Sequence, residues 1–477
     1  MNKPKATSSG ALPPGPGPLS RTVTRRDFVK AGGLLALSAS SLPTILTACS
    51  ASGSGSGRKT LKILQWSHFV PAYDKWFDPW VKDWGEKNNV TVTVDHITYS
   101  DIPTRTAAEI NAGVGHDLIL WIVPPSQYEP SVVDMSDVVK QVEQKYGPQY
   151  DFAKLTNFNP HTNHYFGFTY SFAPDPGDYR KSLFEKVGMP NGPSSWDDML
   201  QATTAIKKQS NGTVRGGIGF SPEPDSNMAA RALIWSFGGS EQDKDQNVTI
   251  NSDQVVAAVD YMARLFKQAE SAEVFGWNAA SNNQGLVAGS LSFILNSISA
   301  YRTAQTTKPD VAADIYFTKP LQGAPGVKAI ASEHVIQTYI IPKFSKNQDT
   351  AKEFLLYLAD HASDYCQQSQ LYEFPVNPNT NAASQLPGWL DNDPFKSNPT
   401  NKLQVLKDAT TWSVNVGYPG PASPAIGEIF DTNVLPSMMA AAAKGDKTPK
   451  QAVADAEQQV KAIFTKWRQK GLVGGTS

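Results

Sequence analysis

The sequence predicts an α/β fold built on an open, largely parallel sheet. Strand-like and helix-like segments alternate after residue 58, and the run over 117–123 is apolar on both faces, as in a buried parallel strand. Residues 49–477 form a body of 429 residues. That length exceeds what a single core usually supports, so we expect two domains.

Three strands and two helices make up the predicted N-terminal sheet. Apolar and polar residues alternate in the first two strands, whereas the third is apolar throughout. Four-residue spacing puts Trp76, Trp80 and Trp84 on one face of the first helix, where we expect a core or half-buried position. The predicted elements are strands over 61–66, 90–97 and 117–123 and helices over 72–87 and up to about residue 113.

Later elements are predicted from capping residues and apolar runs. Ser195 and Ser252 each precede acidic residues and a helical pattern, which is typical of a helix N-terminus. Asp243, Asp245 and Asn247 alternate as in a calcium loop, but the positions that need Gly and Glu are Val248 and Gln254, which favours a polar turn before a strand. Further predicted elements are a strand over 335–341 and helices over 349–361 and 449–467.

The N-terminus carries an export signal. Arg25 and Arg26, followed by Phe28 and Lys30, match the twin-arginine pattern, and residues 46–49 (Leu-Thr-Ala-Cys) match a bacterial lipobox. We expect residues 1–48 to be a signal peptide, Cys49 to be the lipid anchor and residues 49–58 to be a flexible Ser/Gly linker. A transmembrane helix over 31–48 is the alternative, but Ser and Pro residues interrupt that stretch. The protein is therefore expected to be extracytoplasmic and anchored to the cell membrane.

The charge of the chain argues against nucleic acid as a partner, and its cysteine content argues against a disulfide. Removing residues 1–48 takes away six positive charges and one negative charge, so the formal net charge falls from -1 to -6. A mildly acidic body without a Lys/Arg cluster argues against nucleic acid as a partner. Cys366 is the only cysteine besides Cys49, so a lipidated body has no intrachain disulfide.

Motifs for catalysis, metals and cofactors are missing from the sequence. His161 and His164 are spaced to share a metal only on a helix, whereas Pro160 indicates a loop or strand. No Gly-x-Gly-x-x-Gly follows a strand, no Gly-x-Ser-x-Gly occurs, and Asp175 and Asp178 form no recognisable catalytic pair. We therefore expect no enzyme activity, no cofactor and no metal.

Aromatic residues are abundant, with 11 Trp, 16 Tyr and 21 Phe, and many lie at predicted strand ends or in loops. An indole can stack on the apolar face of a sugar ring while acids, amides and His bond its hydroxyls. The alternative for each aromatic is packing at a domain interface. The predicted ligand-binding residues are Trp66, His68, Trp121, Tyr170, Asp175, Trp235, Trp277, Asn296, Glu333 and Tyr372.

Several motifs resemble family 1 extracellular solute-binding proteins of ABC importers. Residues 179–190 resemble the family pattern Tyr-Asn-Lys-x-Leu-Phe-x-Lys-x-Gly, and residues 193–198 resemble Pro-x-Thr-Trp-x-Glu. Further matches follow in order at 235–239, 285–291 and 341–354, so that the resemblance covers nearly all of residues 59–470.

This resemblance implies a periplasmic-binding-protein-like fold, in which two α/β lobes are joined by a hinge with several chain crossings and a ligand cleft lies between them. The N-terminal lobe is expected to comprise 59–168 and 323–373, and the C-terminal lobe 169–322 and 374–477, with hinges at 168–172, 318–322 and 374–376. Trp66 and Trp121 are expected to face Tyr170, Trp235 and Trp277 across the cleft.

The implied function is capture of a sugar or oligosaccharide by a monomeric, membrane-anchored lipoprotein and its delivery to ABC transporter permease subunits. Three alternatives remain open. In the first, the protein binds another solute, such as a glycerol phosphate, a polyamine or a peptide. In the second, it is an exported carbohydrate-active enzyme, and in the third it is a sensory lipoprotein. A Lys/Arg cluster in the cleft would favour the phosphate, and a ring of carboxylates would favour the polyamine.

Overall fold

The structure is a computed structural model that describes residues 58–476. The predicted signal peptide, Cys49 and nearly all of the Ser/Gly linker lie outside the described residues. The strands are β1 Lys59–Trp66, β2 Val90–Ile97, β3 Leu118–Trp121, β4 Phe158–Asn159, β5 His164–Tyr165, β6 Phe168–Pro174, β7 Gly177–Arg180, β8 Phe293–Leu295, β9 Ile315–Thr318, β10 Ala331–Ile340, β11 Phe374–Pro375 and β12 Ser413–Val414.

Eighteen α-helices surround these strands within the described residues. They are α1 Ala72–Lys87, α2 Ile102–Ala112, α3 Ser136–Tyr146, α4 Asp151–Asn157, α5 Lys181–Lys186, α6 Trp196–Gln209, α7 Pro224–Ser236, α8 Asp253–Ala269, α9 Ser281–Ala288, α10 Ser299–Thr307, α11 Pro309–Asp314, α12 Gln348–Asp360, α13 Ala362–Gln368, α14 Asn381–Asp391, α15 Ala409–Trp412, α16 Pro424–Asp431, α17 Val434–Lys444 and α18 Pro449–Gln469. No helix in this part of the chain is long and apolar enough to cross a membrane.

A seven-stranded sheet forms the centre of the fold, in the order β11-β6-β10-β3-β1-β2, with β12 also paired to β10. β1 is parallel to both β2 and β3, which confirms the predicted parallel unit. β10 runs antiparallel to its neighbours β3 and β6, and all ten of its residues are buried. Because residues on both faces of β10 are covered, this strand is the middle of the core.

Local sequence signals set the ends of several elements as predicted. α1 has the predicted bounds, with Trp84 buried and Trp76 and Trp80 half-buried. α2 ends at Gly113, whose φ of 66° lies in the left-handed region that glycine adopts without strain. Ser195 caps α6 in a capping box with Asp198. The polar turn at Asp243 is confirmed by two backbone N–H groups that donate to its side chain, although only an isolated bridge follows the turn.

A smaller sheet of three antiparallel strands, in the order β8-β7-β9, lies in the chain between β6 and β10. Two of the three predicted crossing segments are neighbours in the central sheet, because Phe374 of β11 pairs with Phe172 of β6. Cys366 is a free thiol and is fully buried. The part of the chain beyond Arg58 thus contains three sheets: the central sheet, this smaller sheet and the two-stranded antiparallel sheet of β4 and β5.

Candidate ligand-binding groove

One concave site of about 350 Å³ lies beyond the carboxyl end of β2, and we call it the groove. Its thirteen lining residues come from four chain segments that fall within 99–104, 222–224, 277–279 and 430–433. The first segment joins β2 to α2, the second begins α7, the third precedes α9 and the fourth joins α16 to α17. Its volume is within the range of small-molecule sites, and a position beyond strand ends is where α/β sheets bind ligands.

Three aromatic side chains form apolar walls of the groove. Trp277 is half-buried, whereas Tyr99 and Phe430 are almost fully buried at 7% and 5% exposure. The Arg231 guanidinium lies 4.9 Å from the centre of the Phe430 ring and makes a cation–π contact with it. Of these aromatics, the half-buried Trp277 offers the most accessible ring face for a ligand.

Two carboxylates, Glu223 and Asp431, line the same groove. Glu223 caps α7 and accepts hydrogen bonds from the backbone N–H groups of Asp225 at 2.7 Å and Ser226 at 2.5 Å. Burial, with a further contribution from Asp225, raises the pKa of Glu223 to about 8. Asp431 accepts a hydrogen bond from Gln127 Nε2 at 2.5 Å, and burial raises its pKa to about 7. Both groups therefore stand poised between their neutral and charged forms near neutral pH.

A second set of titratable groups lies next to Glu223. His334 Nδ1 is 3.0 Å from Asp175 Oδ1, and its Nε2 is 3.6 Å from Asp225 Oδ1. Burial alone would lower the pKa of His334, but the charges of Asp175, Asp225 and Glu223 together raise it. Within residues 58–476, Asp175 Oδ2 and both carboxylate oxygens of the fully buried Asp178 have no hydrogen-bond partner.

A family model described as "bacterial extracellular solute-binding protein" matches residues 70–364, which is more than half of the chain. The chain belongs to this family. The family consists of extracellular binding proteins, so this solute-binding protein is extracytoplasmic.

Solved structures share the fold of this solute-binding protein. A putative oligosaccharide periplasmic-binding protein from Synechococcus sp. MITs9220, in complex with zinc, is 18% identical with a TM-score of 0.71 and aligns over 85% of this chain and 100% of its own. An ABC transporter solute-binding protein from Thermotoga lettingae bound to alpha-D-tagatose is 17% identical with a TM-score of 0.70, over 85% and 99% of the two chains.

A sugar transporter from Arthrobacter chlorophenolicus A6 with bound laminaribiose is 17% identical with a TM-score of 0.68, over 85% and 99% of the two chains. No curated protein sequence matches this chain. At these identities the structures show the fold alone, which is that of the periplasmic-binding proteins, as the sequence predicts.

Four of the predicted ligand-binding residues form one buried cluster in this solute-binding protein: Trp66, His68, Tyr170 and Tyr372. The His68 ring stacks on Trp66 at 4.8 Å and lies edge-on to Tyr372 at 5.0 Å. His68 Nε2 is 3.3 Å from a carboxylate oxygen of Glu373. None of the four lines the groove.

Tyr170 departs from its predicted position. The sequence places it across the cleft from Trp66, whereas β6, which carries it, belongs to the same central sheet as β1, which carries Trp66. Its hydroxyl is 3.1 Å from the hydroxyl of Tyr73. The facing arrangement is therefore wrong for Tyr170, because β6 joins the central sheet through β10.

The remaining predicted residues are dispersed. Trp121 is fully buried with its ring 5.4 Å from Tyr128, and Trp235 is buried with its ring 5.9 Å from Tyr418. Glu333 accepts hydrogen bonds from Thr156 Oγ1 and from the Val416 backbone N–H, and burial raises its pKa to about 8. Buried Asn296 donates to Asn283. The ligand roles of these residues stay predictions.

Of the ten predicted residues, Trp277 is the one that lines the groove, and Asp175 lies in the acidic set beside it. Sequence reasoning missed Tyr99, Glu223, Phe430 and Asp431. Glu223 has the sequence signal of a helix cap, because Pro224 and an acidic residue follow it. Among residues 58–476 no three His, Cys, Asp or Glu side chains meet in a metal-binding arrangement.

Proposed function

We propose that this solute-binding protein captures a sugar or oligosaccharide in the groove and delivers it to ABC transporter permease subunits. The observation that carries the proposal is the combination of an accessible indole, Trp277, with carboxylates and amides in one concave site. Such a site offers stacking to the apolar face of a sugar ring and hydrogen bonds to its hydroxyl rim. The sugars named for two structures of this fold, tagatose and laminaribiose, support the same ligand class.

Ligand capture is proposed to proceed by closure of two lobes. The predicted boundaries are 59–168 with 323–373 and 169–322 with 374–477, from which β6, β11 and β12 depart because they join the central sheet. With this division, the groove residues Tyr99 to Thr104 belong to one lobe and the other three segments to the second. A ligand that contacts both lobes stabilises the closed state by its differential affinity. The permease would then recognise the closed, loaded form.

Anchoring and export complete the proposal. We propose that the twin-arginine signal at Arg25 and Arg26 directs export, that Cys49 carries the lipid and that the Ser/Gly linker tethers a monomeric body to the cell membrane. Diacylated anchoring gives stable membrane attachment, since each buried methylene contributes about 0.8 kcal/mol. A tethered receptor stays close to its permease.

Isothermal titration calorimetry over a panel of mono- and oligosaccharides tests the proposed ligand class, and Trp277→Ala tests the groove. Removing one stacked ring is expected to weaken binding by about tenfold, equal to about 1.4 kcal/mol, because aromatic contacts contribute about that much. Trp76→Ala is the matched control, because Trp76 is also half-buried but lies on α1, outside the groove. Equal affinity for wild type and Trp277→Ala would contradict a role of the groove in sugar binding.

A further inference from the structure

The charges of the groove are of one sign. Two of its thirteen lining residues, Glu223 and Asp431, are acidic, and none of the thirteen is Lys or Arg. A site for a phosphorylated ligand would need cationic or N–H donors aimed at the phosphate. The groove therefore disfavours the glycerol phosphate alternative.

More acidic groups lie next to Glu223. Asp225 follows Glu223 by two residues, and its charge contributes to the raised pKa of Glu223. Burial, with a further contribution from Asp175, raises the pKa of both Asp225 and Asp178. Within the described part of the chain, His334 is the one basic side chain that bridges this set, and it lies between Asp175 and Asp225. The imidazole contacts only two of these four carboxyl groups.

Two members of this set of carboxyl groups also have unused hydrogen-bonding capacity. Asp178 is fully buried, and neither of its oxygens has a partner in the described part of the chain, nor does Asp175 Oδ2. A buried carboxylate that lacks a partner is costly, so it must either stay protonated or acquire a cation. Among the described residues, His334 is the cation that contacts these acidic groups, whereas Arg231, which contacts the Phe430 ring, is already paired with Glu241.

A protonated amine is a better partner for the groove carboxylates than a hydroxyl group is. Hydrogen bonds between an ammonium group and a carboxylate are shorter and about twice as strong as those between neutral groups. An ammonium group also supplies the missing positive charge, which a neutral sugar hydroxyl cannot do. Trp277, Tyr99 and Phe430 add ring faces that attract a cation as well as the apolar face of a sugar.

We propose that the ligand of the groove carries a protonated amine, as an amino sugar does, and that Glu223 and Asp431 bind that amine. This inference rests on the proposed function, because it takes the groove to be the ligand site. It narrows the ligand from sugars in general to aminated ones. The positioning residues are then Asp225, Asp175 and His334, which determine the electrostatic environment of Glu223.

The test compares three disaccharides with the same β-1,4 linkage by calorimetry at pH 7: cellobiose, N,N'-diacetylchitobiose and the glucosamine disaccharide. Spermidine is the fourth probe. The glucosamine disaccharide is expected to bind at least about tenfold more tightly than cellobiose, a difference of about 1.4 kcal/mol. That preference should disappear in Glu223→Gln and Asp431→Asn, which keep the shape of each side chain and remove its charge.

Two controls separate groove binding from general effects. Asp83→Asn removes a carboxylate from the exposed face of α1 and should leave the preference unchanged. Thermal melts of each variant show whether it is folded. Titrations in buffers of different ionisation enthalpy add an independent readout, because Glu223 and Asp431, with pKa values of about 8 and 7, should release protons when an amine binds.

The outcomes distinguish the inference from the function on which it rests. If cellobiose or the acetylated disaccharide binds as tightly as the glucosamine disaccharide, the amine inference is wrong and sugar binding stands. If spermidine binds and none of the sugars does, the sugar function is wrong and amine recognition stands. If neither amine binds, or if the preference survives both Glu223→Gln and Asp431→Asn, the inference is refuted.

Discussion

Glu109→Gln should destabilise the protein in a pH-dependent way. The side chain of Glu109 is 6% exposed and accepts hydrogen bonds from the His116 backbone N–H at 2.8 Å, from His116 Nδ1 at 2.7 Å and from Arg105 Nε at 2.5 Å. His116 in turn contacts Asp95 of β2 through Nε2 at 3.0 Å. The carboxylate therefore ties α2 to the loop that leads into β3.

The magnitude follows from the pKa of Glu109. Burial alone would raise it, but the bonds from His116 and Arg105 outweigh burial and lower it from 4.5 to about 2. At 1.36 kcal/mol per pKa unit, this shift corresponds to about 3 kcal/mol, and we expect about 2 kcal/mol because Arg105 is half exposed and its interaction is screened.

The pH dependence has a defined sign. The pKa is depressed in the folded state, so the stabilisation is fully present above pH 4.5 and is lost as the pH falls through about 2. Removing Glu109 also removes the partner that raises the pKa of His116. The pKa of His116, measured by NMR titration, should therefore be lower in Glu109→Gln than in wild type.

Urea denaturation at pH 7 and pH 3 measures the effect. Wild type should exceed Glu109→Gln by about 2 kcal/mol at pH 7 and by less than half of that at pH 3. Glu86→Gln is the matched control, because Glu86 is exposed at the end of α1. A difference between wild type and Glu109→Gln that is the same at both pH values would refute the reasoning.

Three further predictions concern burial and anchoring. Glu333→Gln should gain stability relative to wild type between pH 5 and pH 9, by more than about 1.4 kcal/mol, because the pKa of Glu333 is raised to about 8 and its neutral form is lost as the pH rises through that value; denaturation at both pH values checks this. Trp121→Ala should cost about 3 to 5 kcal/mol in the same assay, since the indole is fully buried. Cys49→Ser should move the protein from the membrane fraction to the soluble fraction of fractionated cells, because it removes the sulfur that we propose to carry the lipid.

The sequence predicted the elements of the central sheet closely, because periodicity is a local signal. The bounds of α1 and β2 agree with the predicted ones, and Trp66 ends β1 as predicted, whereas β3 is shorter than the predicted 117–123 and ends at Trp121. The direction of β10 could not be predicted, because a strand that is apolar on both faces carries no sign of whether its neighbours run parallel or antiparallel.

The groove was harder to predict because four distant segments assemble it. Trp277 was found because no helical stripe accounts for it. Phe430 lies on α16 and has the pattern of a core residue, and Tyr99 follows a strand without any repeat that marks it. Conversely, Trp121 and Trp235 were attractive candidates whose rings the fold buries. Spacing along the chain says which face a residue occupies, and only tertiary packing says whether that face reaches a ligand.

Glu223 both lines the groove and caps α7, so the first amides of that helix are natural spectroscopic reporters. The N–H groups of Asp225 and Ser226 donate to its carboxylate. A ligand that draws on the same oxygens must redistribute these bonds, which changes the ¹⁵N chemical shifts and the deuterium uptake of the two amides. Occupancy could then be followed residue by residue in unlabelled ligand mixtures, including extracts in which the natural solute is one component among many.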